Sequence, residues 1–283
     1  MNGLILYRLI TTVDQQARLQ RLIEAFTSHR MNVVTVQHDQ VIRLLETTTK
    51  HFFSFAYFFD EDRQLALSLQ SSYGLTVFNE ETPINIANDR ALLSLTLRNE
   101  GIPTPQTIVL PYTMNQSILH QFNEVQMMLS SLAYPFLIKE RFVSDNQPVY
   151  FIRDLKDLTT TFQMVGLKPL LAQEYVGPVS RKVVKVFIVN RRPIASVEVV
   201  SSSTQDVIQR IRFPSSHPVY QTAIRTADAL GASMMLVYML VVNLRTAYVY
   251  GVKTNPNLME LEQVTGVDVH TAVVKSIKDA IGR

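Results

Sequence analysis

Tyr134-Pro135-Phe136-Leu137-Ile138-Lys139 and Val149-Tyr150-Phe151-Ile152 are two short apolar runs separated by a polar interval. Aromatic and β-branched residues so close together, with turn chemistry between them, predict an antiparallel hairpin. The pattern recurs downstream, where Val183 to Val189 and Pro193 to Val200 flank Asn190-Arg191-Arg192, and Met234 to Val242 and Ala247 to Val252 read as two further strands. Strands are further predicted at Thr107 to Leu110 and, as a strand edge, at Leu170 to Gln173. Helical spacing marks Asn115 to Leu132, Asp154 to Val165, Val219 to Leu230, which ends at Gly231, and Val269 to Ile281. The second half is therefore α+β on antiparallel sheet.

Upstream the periods alternate. Gly3 to Tyr7, Asn32 to Val36, His51 to Phe59 and Leu75 to Phe78 read as strands. Between them lie helical segments at Val13 to His29, Gln40 to Glu46 and, after Asp60-Glu61-Asp62, up to Ser71 before Tyr73-Gly74. Strand-helix alternation implies a small parallel sheet with crossover helices. A helix over Asn88 to Asn99, closed by Gly101-Ile102-Pro103-Thr104-Pro105, leads from this half into the next.

The chain has 283 residues, 47% of them hydrophobic and 18% charged, with 9 Gly and 12 Pro. It is long enough for a sizeable core and unlike a disordered or fibrous sequence. Met234 to Val242 is the longest strongly apolar run and falls short of the roughly 20 residues a spanning helix needs, so no membrane role is expected. Met1 to Arg8 has no cationic leader followed by a long apolar stretch, and a cytoplasmic location is expected. With no Cys, disulfides and thiolate metal sites are excluded. The net charge is +3 and the basic residues are spread along the chain, so no nucleic-acid partner is expected. The six His have no His-Glu-x-x-His spacing, and neither a Gly-x-Ser-x-Gly elbow nor a P-loop lysine motif occurs.

Several segments, in order, resemble ATP-grasp ligases of the RimK and LysX type, which join a carboxylate to an amine. These are Asn88-Asp89-Arg90 with Gly101-Ile102-Pro103-Thr104-Pro105, Tyr134 to Lys139, and Leu171-Ala172-Gln173-Glu174-Tyr175-Val176. Asn255-Pro256-Asn257-Leu258, Leu261-Glu262 and Thr265-Gly266-Val267-Asp268 follow. The resemblance covers nearly the whole chain and implies an ATP-grasp fold. An N-terminal α/β pre-ATP-grasp domain would span 1–86 and the ATP-grasp region 87–283, with a central subdomain at about 107–172 and a C-terminal one at about 173–283. It further implies phosphate contacts from Arg90 and Lys139, and an adenine-receiving hinge at Gln173, Glu174, Tyr175 and Val176. From the residues alone, Lys139 is equally a solvated strand end, Glu174 a turn cap, and Asn255 a generic turn signal.

In such ligases ATP phosphorylates a carboxylate and an amine attacks the acyl phosphate, with magnesium held by an Asp on one late strand and a Glu-x-Asn on the next. Here these three positions read Tyr238, Gly251 and Lys253. Glycine offers no side-chain oxygen and an ammonium repels a divalent cation, so ordinary Mg2+ binding is not expected and ATP binding is in doubt. The segment Glu140 to Pro148, where a glycine-rich phosphate loop is expected, has no glycine, and Asp145 and Pro148 add a negative charge and remove a donor. Lys185 stands where the family has a substrate-binding arginine. It belongs to a basic group, with Arg181, Lys182, Arg191 and Arg192, that suits either an acidic substrate or a hydrated surface.

Three functions follow: an impaired ligase with a binding or regulatory role beside a partner ligase, a live ligase drawing metal ligands from Glu198, Asp206, Glu260 or Glu262, and a metal-independent nucleotide or anion sensor using Lys139 and Lys253. An acidic peptide or amino acid is the expected substrate class, and the resemblance implies a homo-oligomer, a dimer or tetramer.

Overall fold

The computed structural model describes residues 1–111, 118–143, 147–165, 168–176, 182–201, 206–243 and 246–282. Asn115, the loop residues Ser144, Asp145 and Asn146, and Arg181 lie outside the described residues, as do the side chains of Lys182 and Asp206.

Four strands, β1 (Asn2–Tyr7), β2 (Asn32–Gln37), β3 (Phe55–Phe58) and β4 (Thr76–Phe78), pair in parallel in the order β2-β1-β3-β4. The crossovers are α1 (Val13–Ser28), α2 (Val41–Thr47) and α3 (Arg63–Tyr73). Local chemistry sets two of these helices. Thr12 and Gln15 form a reciprocal capping box at the start of α1. Asp62 Oδ1 accepts from Leu65 N at the start of α3, which stops at Gly74 with φ +64°. Strand β3 is shorter than the predicted His51 to Phe59, because the chain turns at His51, where φ is +65°, and Phe52 N donates to Thr49 O.

Two helices follow, α4 (Glu81–Asn88) and α5 (Arg90–Asn99), where one was predicted from Asn88. Asp89 divides them: its backbone is extended and its carboxylate accepts from Ala91 N and Leu92 N, which starts a new helix. The predicted division at 86–87 falls inside α4.

The next elements are β5 (Thr107–Val109), α6 (Ile118–Leu129), β6 (Phe136–Glu140), β7 (Val149–Ile152), α7 (Leu155–Val165) and β8 (Leu170–Glu174). Their strands form an antiparallel sheet in the order β5-β8-β6-β7, so the hairpin over β6 and β7 is as predicted. Strand β8 was expected as a strand edge and is interior, because β5 pairs along its outer side. Phe136, Ile138, Ile152 and Ala172 face Val125, Leu129, Leu158 and Phe162 of the two helices. Alternation along the strands then leaves Leu137, Lys139, Leu171 and Gln173 on the other face.

A third sheet is antiparallel, in the order β11-β10-β9-β12-β13. It comprises β9 (Lys182–Val189), β10 (Arg192–Ser201), β11 (Asp206–Arg210), β12 (Met234–Asn243) and β13 (Thr246–Lys253), with α8 (Pro218–Leu230), α9 (Leu258–Thr265) and α10 (Val269–Ile281) around it. Sequence reading missed β11, and it took the α9 segment as a motif rather than a helix. Asn257 caps α9 through Glu260 N, and Gly266, with φ +64°, ends it. One face of this sheet, through Val184, Val186, Met235 and Val237, packs on α8. The opposite face, through Phe187, Val189, Val197 and Leu236, shares a core with α9, α10 and the first sheet's Phe26, Phe55 and Tyr57.

Asn79 joins the two outer sheets. It is buried, its Nδ2 donates to Met234 O and Thr254 O at 2.8 Å each, and its Oδ1 accepts from Ser233 Oγ and Met234 N at 3.1 and 3.2 Å. The side chain of Asn255 donates to Phe59 O nearby. Removing the Asn79 amide strands three backbone groups in the interior, and each costs about 1–3 kcal/mol when unsatisfied. Asn79→Ala is expected to lose about 2–4 kcal/mol in denaturant unfolding, and a loss under about 0.5 kcal/mol would contradict this account of the joint.

Candidate functional site

On the open face of the central sheet, Lys139 Nζ donates to Gln173 Oε1 at 2.6 Å, and Gln173 Nε2 donates to Thr107 Oγ1 at 3.1 Å. Burial and the nearby Arg90 guanidinium push the Lys139 ammonium down to about 8. Among the described residues it has no acidic partner. An anion brought to this face would meet a cation that is already desolvated and positioned.

Arg90, expected at the phosphates, holds the segment after β6 through Nη1. Its Nη1 donates to Glu140 O at 2.6 Å, to Gln147 Oε1 at 2.9 Å and, at 3.4 Å, to Phe142 O. Gln147 Nε2 donates to Phe142 O and Glu140 Oε2. Beside it, Asp89 takes a two-pronged contact from Arg141, whose Nε and Nη2 approach at 2.7 to 3.0 Å. Burial alone would raise the Asp89 carboxyl, but Arg141 and the Leu92 and Ala91 amides outweigh it and hold the group below its usual value. Both ends of the segment linking β6 and β7 are thus fastened to the start of α5. Sequence reasoning missed Gln147 and Arg141, since neither carries a local signal: each acts on a residue about fifty positions away or across a turn.

The hinge residues divide in role. Gln173 supports Lys139, while Glu174 Oε2 accepts from Gln106 N at 3.0 Å and Glu174 N donates to Gln106 O. The Tyr175 ring meets Phe151 edge-on at 4.8 Å, and Val176 is half-buried.

On the third sheet, Tyr238 lies between Lys185 of β9 and Gly251 of β13, while Leu236 lies opposite Lys253. Cross-strand partners share a face, so Lys185, Tyr238, Gly251 and Lys253 stand together. Lys185 Nζ is 5.4 Å from the Tyr238 ring centroid. A bulge in β13 leaves Tyr250 as an extra residue, its ring 6.1 Å from that of Tyr238. Burial, with the charge of Glu260, pushes the Tyr238 phenol up to about 12. A Cβ at Gly251 would lie 3.9 Å from Tyr238 Cδ2, an ordinary contact, so no steric bar keeps a side chain out. A protonated phenol, a glycine and an ammonium do not fit the hard-oxygen octahedron of magnesium.

The alternative ligands are placed differently from that expectation. Glu262 accepts from Arg21 Nε at 3.3 Å and His270 N at 2.9 Å, and it lies 2.8 Å from His270 Nδ1, which ties α1, α9 and α10 together. Glu198 is opposite Val184, on the α8 face, and accepts from Gln209 Nε2. Glu260 is exposed beside Lys185 and Lys253. Among the described residues no three His, Cys, Asp or Glu side chains are grouped to hold a metal ion, and no helix is long and apolar enough to cross a membrane. Of the basic group, Arg191 pairs with Asp228 at the hairpin end, away from Lys185 in the middle of β9.

The RimK-like ATP-grasp domain model matches residues 87–277. The chain belongs to the RimK-like ATP-grasp family. No curated protein is significantly similar to it in sequence. D-alanine--D-alanine ligase from Bacillus anthracis, solved with ATP, superposes with a TM-score of 0.76 at 15% identity, over 100% of this chain and 98% of that one. A RimK domain ATP-grasp protein from Sphaerobacter thermophilus DSM 20745 gives 0.70 at 19%, over 98% and 99%. D-cycloserine synthetase gives 0.74 at 12%, over 99% and 100%. At these identities the structural likeness speaks for the fold alone.

The Lys139 geometry has a pH signature. The folded value of about 8 lies below the ordinary 10.5, so between these values the unfolded chain binds the extra proton and stability rises with pH. Below about 8 both states are protonated and the cost of the buried charge is fully present. Lys139→Met is expected to abolish this rise and to be at least as stable as the parent at neutral pH. A parental unfolding free energy that is flat or falling across the window, relative to the variant, would contradict the burial of the ammonium.

Proposed function

We propose that this chain is a catalytically silent RimK-like ATP-grasp protein that acts by binding, in a regulatory or partner role, and not by joining a carboxylate to an amine. The supporting observation is the row Lys185, Tyr238 and Gly251 with Lys253 beside it, which presents cations and a phenol where the reaction needs oxygen donors for a divalent ion. Phosphoryl transfer gathers negative charge on the transferring group, and without the metal that charge lacks its main neutralising partner. The fastened segment after β6 supports the same reading, since Arg90 Nη1 is committed to Glu140, Phe142 and Gln147. The live-ligase alternative is disfavoured by the engagement of Glu262 with Arg21 and His270, and by the position of Glu198 on the far face.

The test is ADP release from ATP and magnesium in the presence of amino acids, acidic peptides and amines. No release above background is expected, and acceptor-stimulated release with any pair would overturn the proposal. In a companion measurement, calorimetry of ADP with the parent is expected to be indifferent to magnesium. The triple variant Tyr238→Asp, Gly251→Glu, Lys253→Asn is expected to gain magnesium-dependent ADP binding. Magnesium-dependent binding already present in the parent would count against the reading.

A further inference from the structure

We propose that the small cavity between the third sheet and α9 is an oxyanion site, in which Lys185 and Lys253 hold a carboxylate or phosphate group without a divalent ion. This rests on the reading that the metal positions of the chain hold no magnesium. The cavity has a volume of about 80 Å³, and Lys185, Tyr238, Lys253, Asn257 and Glu260 supply its polar lining. A cavity needs about 10–15 Å³ of such space to hold one water molecule, so this one has room for an oxyanion together with a short carbon part.

Neither lysine is in an ion pair among the described residues. Lys185 is half-buried in mid-strand with its Nζ over the Tyr238 ring, so the charge is held inward at the sheet surface. Lys253, two residues beyond Gly251, is exposed at the end of β13, and it acts through space on the buried carboxyl of Glu61. At the opposite wall Asn257 Oδ1 accepts from Glu260 N at 3.3 Å, which leaves its Nδ2 to donate. Two lysines and an asparagine amide thus line one small space, and charge-assisted hydrogen bonds from the lysines to an oxyanion are stronger than neutral ones. Glu260 lines the same space and repels a second anionic arm, so the ligand is a molecule that presents one such group here. The apolar wall of Val197, Leu236 and Leu261 receives the carbon part of such a molecule. In effect, ammonium groups replace the metal as the counter-charge.

The test uses the full chain, with inorganic phosphate, succinate and glutamate as separate probes in calorimetry at low salt. Saturable millimolar or tighter binding is expected for at least one probe, unchanged by EDTA and by magnesium. Lys185→Met and Lys253→Met are each expected to weaken it about tenfold or more, and Glu260→Gln to tighten it. Unfolding curves of each variant verify that the fold is intact. Phosphate binding with inert carboxylates assigns the site to phosphorylated ligands, and the reverse assigns it to carboxylates. The proposal is overturned by no saturable binding of any probe, by binding that both folded lysine variants retain, or by binding that EDTA removes. Acceptor-stimulated ADP release with oxyanion binding intact would overturn the silent-ligase reading alone, whereas absent release together with absent binding overturns this site alone.

Discussion

Asn79 uses both its amide donors and both lone pairs of its carbonyl inside the protein, on Ser233, on Met234 twice and on Thr254. These contacts pin the end of the parallel sheet to the first residues of β12 and the residue after β13. The placement of everything on those two strands, Tyr238, Gly251 and Lys253 included, follows from that joint together with the shared core beneath it. A fully satisfied buried amide is rigid because every alternative arrangement leaves polar groups dry and unpaired.

With the strands so held, the charge pattern of the site is decided by single residues. The fold supplies a row of cross-strand neighbours on one face of the third sheet. This chain fills the row with Lys185, Tyr238 and Gly251, and places Lys253 next to it. The scaffold is that of a ligase family, while the chemistry of the row belongs to this sequence, and function follows the site. Lys139 adds a further desolvated cation on the central sheet.

The segment after β6 is held by residues some fifty positions away in the chain. Arg90 and Asp89 lie at the start of the matched ATP-grasp domain. Here Asp89 binds Arg141 and caps α5, and Arg90 binds Glu140, Phe142 and Gln147. Glu61 forms a related link. Burial raises its carboxyl, against the influence of Thr254, Lys253, Asn88 and Arg8, so one acid brings the end of α4 next to the end of β13.

The alternation of strand and helix, the two hairpins and the helix ends at Gly74 and Gly231 were legible in the sequence, because apolar period and capping chemistry are local. So was the family, which needs only an ordered set of motifs. The division of one predicted helix at Asp89 was not legible, because the carboxylate that caps α5 is also the anchor for Arg141, some fifty residues on. Strand β11 escaped because its pattern gains meaning only from pairing with β10. The roles of Arg90, Glu174 and Glu262 were likewise set by distant partners, respectively Gln147, Gln106 and Arg21. The sequence thus determined the elements, the family and the chemical types at the site. Tertiary structure alone decided which of those groups meet and which are already spent, because hydrogen bonds and buried charge depend on distances that chain order does not contain.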